Sequence, residues 1–164
     1  VSADSIHFPD SLKTRTLKLG RTVYGGGGIM PDYFVPIDTT MYTDYYLALR
    51  DKGAIVQENL KLIDRYRAEW MKKYKTFDRF NRDFEVTDEM LNELIATGKA
   101  TGATYDEEQY QTALPLIKTQ LKALIARDLW DMNEYFQVIN ELSNSMQKAV
   151  QLLEQPGLNF PKRE

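Results

Sequence analysis

From Thr43 onward, every long stretch of this chain repeats its apolar residues three or four positions apart, a spacing that only a helix gathers onto one face. Thr43 is suited to cap a helix over 44–52, and Gly53 to stop it. A long helix is expected over 54–74, with Ile55, Val56, Leu60, Ile63, Tyr66, Arg67, Trp70 and Tyr74 turned to a core. Thr76 caps a short helix that carries Phe77, Phe80 and Phe84 on one side. Thr87 caps another, from Asp88 to about Lys99, with Met90, Leu91, Leu94 and Ile95 inward and Gly98 and Gly102 loosening its end. Asp106 and Gln109 form a capping-box-like start for the next helix, whose stripe is Tyr110, Leu114, Ile117, Leu121, Leu124 and Ile125. Pro115 lies about two turns inside that helix and removes a donor, so a kink or break is expected over 111–115. The stripe from Met132 to Leu153 marks a final helix to about Glu154, ended by Pro156-Gly157. Few residues separate the last two helices, so they are antiparallel neighbours or one bent rod.

The chain reads differently before residue 40. Residues 12–36 alternate and are rich in Thr, Val, Tyr and Phe, which predicts a β-hairpin turning at Leu19-Gly20, then a third strand at Tyr33–Val35 ended by Pro36. The expected class is therefore mainly α: a bundle-like helical domain over 41–164, preceded by a strand-bearing arm over 1–40. An isolated hairpin is marginal in water. These strands are expected to rest on the helices, pair with a second copy, or stay mobile.

Within the arm, Gly25, Gly26, Gly27 and Gly28 stand between Val23-Tyr24 and Ile29-Met30. Ordering four glycines costs on the order of 2–4 kcal/mol, which close packing has to offset. A phosphate loop would need a Lys-Ser/Thr pair or a G-x-G-x-x-G spacing leading into a helix, whereas here Pro31-Asp32 favours a turn. A solvated linker would avoid the flanking apolar residues. Extended backbone packed against another segment fits best.

The run also carries a family resemblance. Gly20-Arg21, the short strand Thr22 to Tyr24, Gly25 to Gly28, then Ile29-Met30-Pro31-Asp32 and Tyr33 to Val35 resemble the segment that closes the catalytic domain of C-terminal-processing (tail-specific) serine peptidases. Phe34 to Thr40, Ala123 to Trp130 and Glu134-Tyr135-Phe136 are similar to a helical extension found in one branch of that family. The resemblance implies a Ser nucleophile with a Lys base and a PDZ domain, all upstream of Gly20 and absent from this chain. It implies Gly20, Arg21, Tyr24, Gly25 to Gly28, Ile29, Pro31 and Asp32 as structural family positions, no catalytic residue here, and a bacterial periplasmic or envelope location. Since Val1 is not an initiator Met and no leader comes after it, a fragment of a longer protein is expected.

The remaining residues add exclusions. A net charge of −3 with pI near 5.3 argues against a nucleic-acid surface over the whole chain. No apolar run approaches the roughly 20 residues of a membrane span. With no cysteine and His7 as the single histidine, no disulfide, no thiolate metal site, no multi-histidine site and no complete Ser-His-Asp triad can form within one copy. No cofactor or metal is expected. Ser145-Met146-Gln147-Lys148 matches Ser-x-x-Lys, but mid-helix and without its partner motifs, so it reads as surface. Asp88-Glu89 and Glu107-Glu108 sit in first turns, where the helix dipole explains them. Basic residues from Lys61 to Arg82 outnumber acidic ones; a solvated face is the ordinary reading and an acidic partner surface the sharper one. Two functions result: a non-catalytic peptidase C-terminal part that braces the catalytic domain, shapes access to it or self-associates, with peptide substrates met through the parent; or an independent interaction module using the basic helix or Tyr42, Tyr45 and Tyr46.

Overall fold

The computed structural model describes residues 9–25 and 33–154. The chain divides into two compact units, Val1–Ile37 with Lys148–Glu164, and Asp38–Gln147.

In the first unit, β1 (Lys13–Arg15) and β2 (Thr22–Tyr24) pair antiparallel, with Lys13 opposite Tyr24, Thr14 opposite Val23 and Arg15 opposite Thr22. Gly20 takes φ +61° in the connection, which explains glycine there. Thr16 N donates to Arg21 O at 2.9 Å, and Gly25 N donates to Leu12 O at 2.8 Å, closing the ladder at both ends. No strand residue is buried. The expected third strand does not form: Tyr33–Val35 joins no ladder, and Phe34 is 55% exposed. Pro36 offers no backbone donor to continue such a strand. Gly26 to Gly28, Ile29, Met30, Pro31, Asp32, His7 and Pro156-Gly157 lie outside the described residues.

The second unit is built from α1 (Asp44–Asp51), α2 (Ala54–Tyr74), α3 (Phe77–Asp83), α4 (Asp88–Ala100), α5 (Glu107–Leu129), α6 (Met132–Ile139), a 3₁₀ turn (Asn140–Leu142) and the first turn of α7 (Asn144–Leu153). The expected caps form. Thr43 Oγ1 accepts from Tyr46 N at 3.3 Å, Thr76 Oγ1 from Arg79 N at 3.4 Å, Thr87 Oγ1 from Met90 N at 3.4 Å, and Asp106 Oδ1 from Gln109 N at 2.9 Å. Gly53 at φ +71° ends α1 and opens α2. α2 packs on α4 and α5, α1 lies against both α2 and α5, and α6 lies against α5.

Phe80 is wholly buried at the aromatic centre, stacked on Phe84 at 4.5 Å, with Trp130 at 5.2 Å and Tyr74 edge-on at 5.4 Å. Gly98 does not loosen α4 as expected. A Cβ there would lie 2.5 Å from Leu49 Cδ2, and Leu49 is itself fully buried, so Gly98 makes room for the Leu49 side chain of α1 against α4. Gly98→Ala should cost about 1–3 kcal/mol in urea unfolding through overpacking; an unchanged midpoint would show that Leu49 can move aside.

Four further expectations are corrected. The core face of α2 holds Ile55, Ile63, Trp70 and Tyr74 as expected, with Tyr66 half-buried, but Val56 (44%), Leu60 (51%) and Arg67 are exposed, and Glu58, Asn59 and Leu62 are buried in their place. The stripe contains two polar residues, so counting apolar positions alone misplaces part of it, chiefly between Val56 and Leu60. Of the kink or break expected over 111–115, the break does not occur: α5 runs on through Pro115. Pro115 and Gln111, whose carbonyl loses its donor, are both exposed, so water can satisfy the freed group. The last helix is not continuous; it breaks through the 3₁₀ turn and Ser143, which takes φ −80° and ψ 108°. Gln109 does not complete a capping box, because its Oε1 accepts from Tyr45 N at 2.8 Å instead. Of the two arrangements left open for α5 and α6, the fold-back is adopted: Gln120 Nε2 donates to Tyr135 Oη at 3.1 Å across the connection, and Val138 is wholly buried.

Candidate functional site

The buried polar groups of the helical unit concentrate on the middle of α2. Ile55, Glu58, Asn59, Leu62 and Ile63 follow one helical row, so Glu58 and Asn59 are carried into the core by the same spacing that buries their apolar neighbours. Glu58 has no exposed side-chain surface. Its Oε2 accepts from Thr97 Oγ1 of α4 at 2.6 Å and from Lys61 Nζ at 3.2 Å, while Lys61 Nζ also donates to Thr97 Oγ1 at 2.6 Å. One turn on, Arg65 Nη1 pairs with Glu93 Oε1 at 2.8 Å, which holds the Glu93 carboxyl below its ordinary value. This second pair is largely open to water and adds little cohesion. A burial cost for the Glu58 carboxylate is offset only by its donors, and its Oε1 has none.

Asn59 works on the other side of α2. Its Nδ2 donates to Asp128 Oδ2 of α5 at 2.6 Å, and Arg127 Nε meets Asp128 Oδ1 at 2.8 Å. Burial pushes the Asp128 carboxyl up, but the hydrogen bonds from Arg127 and Asn59 outweigh it and hold the group below its ordinary 3.8. A depressed carboxyl adds stability above its unfolded-state pKa, and that stability is lost as pH falls through the folded one. The urea midpoint should therefore fall between neutral pH and about pH 3, and Asp128→Asn should remove part of the fall. An identical drop in that variant would assign the effect to other carboxylates.

This seam joins helices; it does not present a reacting group. Thr97 is 5% exposed, and its hydroxyl already donates to Glu58 and accepts from Lys61. Among the described residues no group of three or more His, Cys, Asp or Glu is placed to hold a metal ion. Nor is any helix among them long and apolar enough to cross a membrane.

The sequence candidates disperse. Gly20 lies in the hairpin connection, Arg21 N donates to Thr16 Oγ1 at 3.0 Å, Tyr24 stands opposite Lys13, and Gly25 bonds back to Leu12. Ser145 is exposed, and Lys148 Nζ turns to Gln151 Oε1 at 3.0 Å along its own helix. Glu107 accepts from Tyr105 Oη at 2.5 Å and from Gln111 Nε2 at 2.8 Å. Of the basic run, Lys61 and Arg65 belong to the α2–α4 seam, while Arg79 and Arg82 both face Asp83. The tyrosine surface is not available as one surface: Tyr45 and Tyr46 are 2% and 3% exposed, and only Tyr42 is open. Burial pushes the Tyr45 hydroxyl up to about 12, and its oxygen has no partner.

Sequence reasoning missed Glu58, Asn59, Thr97 and Asp128. The available signal was Glu58-Asn59 standing in phase with Ile55 and Leu62, where polar residues on a core row announce a buried pairing.

A family model described as a family of unknown function (DUF8443) matches residues 45–131, which hold α2 to α5 and both halves of this polar seam. No curated protein matches. No solved structure matches.

Proposed function

The chain belongs to this family of unknown function, DUF8443, and we propose that it is the closing, non-catalytic part of a tail-specific serine peptidase. The observation that carries the reading is the Gly20 to Asp32 pattern, of which Gly20, Arg21, Tyr24 and Gly25 lie on the hairpin. That hairpin supports it physically. A three-residue ladder with no buried strand residue has no core of its own, which suits strands that complete a larger sheet. On this reading the Ser and Lys lie upstream; burial lowers the Lys pKa so that its neutral amine takes the Ser proton. The helical unit then braces the catalytic domain or shapes access to it. Its partners are the catalytic and PDZ domains of the same parent, with peptide substrates reached through them, in a bacterial periplasm or envelope.

The test is expression of the parent gene product with and without residues 41–164, assayed on an unstructured peptide with a free C-terminus. Cleavage by the whole protein and its loss or marked change on truncation are expected. The present chain alone should show no turnover, and Ser145→Ala should change nothing. An upstream reading frame without a Ser in a small-residue context followed by a Lys would sink the proposal and leave the independent interaction module.

A further inference from the structure

The apolar stripe of the last helical segment stays in phase across a break in the backbone. Met132, Tyr135, Phe136, Ile139, Leu142, Met146, Ala149, Val150 and Leu153 succeed one another at helical spacing, and no Gly or Pro stands between Met132 and Leu153. Neither of the two strongest helix breakers therefore interrupts the stripe, although Asn140, Ser143, Asn144 and Ser145 are weaker helix formers that favour a cap at this point. The backbone leaves the helix at Ser143.

Side chains hold the break open. Ser143 Oγ accepts from Met146 N at 3.3 Å and so caps α7, and Gln147 Nε2 donates to Glu141 O at 2.7 Å. From outside the segment, Asn81 Nδ2 at the end of α3 donates to Glu141 Oε1 at 2.8 Å, and Asn81 O accepts from Lys122 Nζ of α5 at 2.6 Å. Packing acts on one side of the bend: Ile139 and Leu142 rest against the core, whereas the helix that follows does not gain comparable burial. α7 buries no residue, and Met146, Val150 and Leu153 are 45%, 47% and 75% exposed. A capped, braced break whose following helix gains almost no burial competes with a continuous helix that would replace those caps with backbone bonds.

We propose that Asn140–Ser143 is a two-state hinge, bent when Asn81 engages Glu141 and straightened into one helix over 132–153 when that brace is released. This inference is independent of the peptidase reading. The hinge lies wholly within the helical unit, which runs to Gln147.

The test is the backbone carbon chemical shifts of residues 140–147 in the whole chain. Wild type should show Ser143 as extended, flanked by helical shifts. Ser143→Ala combined with Asn81→Ala should move residue 143 to helical shifts and make 139–147 continuous. Adding Asn144→Pro should restore the break, because Pro is accepted at the first position of α7 but would clash with the Asn140 carbonyl inside a continuous helix. α5 amide shifts that stay in place distinguish this from unfolding, and Ser143→Ala alone, which leaves the Asn81 brace intact, gives an intermediate shift if the double variant fails to fold. Residue 143 staying extended in both Ser143→Ala variants would overturn the hinge, as would a helical Ser143 in wild type.

Discussion

Phe80→Ala should destabilise the helical unit by about 3–5 kcal/mol, the range for truncating a fully buried aromatic ring. Phe80 has no exposed surface and touches rings from three other segments: Tyr74 of α2, Phe84 after α3 and Trp130 after α5. Its removal opens a void that no single neighbour can fill. Since a domain of this kind has a total stability of roughly 5–15 kcal/mol, the variant should lose a large share of it in urea unfolding. Phe136→Ala is the matched control, because Phe136 is 54% exposed on α6 and its loss should stay within about 0.5 kcal/mol. Equal effects of the two variants would mean that the aromatic centre collapses freely around the gap.

Thr97→Val should be the second large effect. Valine matches threonine in shape, so the variant removes the hydroxyl while leaving packing nearly intact. Glu58 Oε2 then keeps only the longer contact to Lys61, and Glu58 Oε1 has no partner already. The cost should be about 1–3 kcal/mol, because a buried carboxyl group is left short of a hydrogen-bond partner. Combining it with Glu58→Leu should recover most of that loss, since replacing a whole buried polar pair by apolar side chains is often neutral or stabilising. The double variant thus decides the matter. Additive losses would show that Glu58 and Thr97 do not act as one unit.

Helix positions were legible in the sequence because each is announced by a local event. Thr43, Thr76, Thr87 and Asp106 each cap the helix that begins at the next residue, and Gly53 at positive φ separates α1 from α2. Those are interactions between residues three or four apart. The parts that were not legible depend on distant partners: Gln109 turns away from its own helix end to α1, and Glu58 is buried only because Thr97 and Lys61 receive it. The break at Ser143 has the same origin, since Glu141 is held by Asn81 from 60 positions away. Tyr33–Val35 shows the opposite case, in which strand-like composition finds no strand to pair with among the described residues.

Gln109 also bears on the order in which the molecule assembles. The start of α1 is completed by Gln109, whose side chain receives Tyr45 N and whose carbonyl receives the Thr43 hydroxyl at 3.3 Å, across 64 and 66 positions of chain. An eight-residue helix is far too short to persist by itself in water. During synthesis, α1 therefore leaves the ribosome first among the helices of its unit yet gains its native N-terminus only once Gln109 has emerged, making it an early-made, late-formed element.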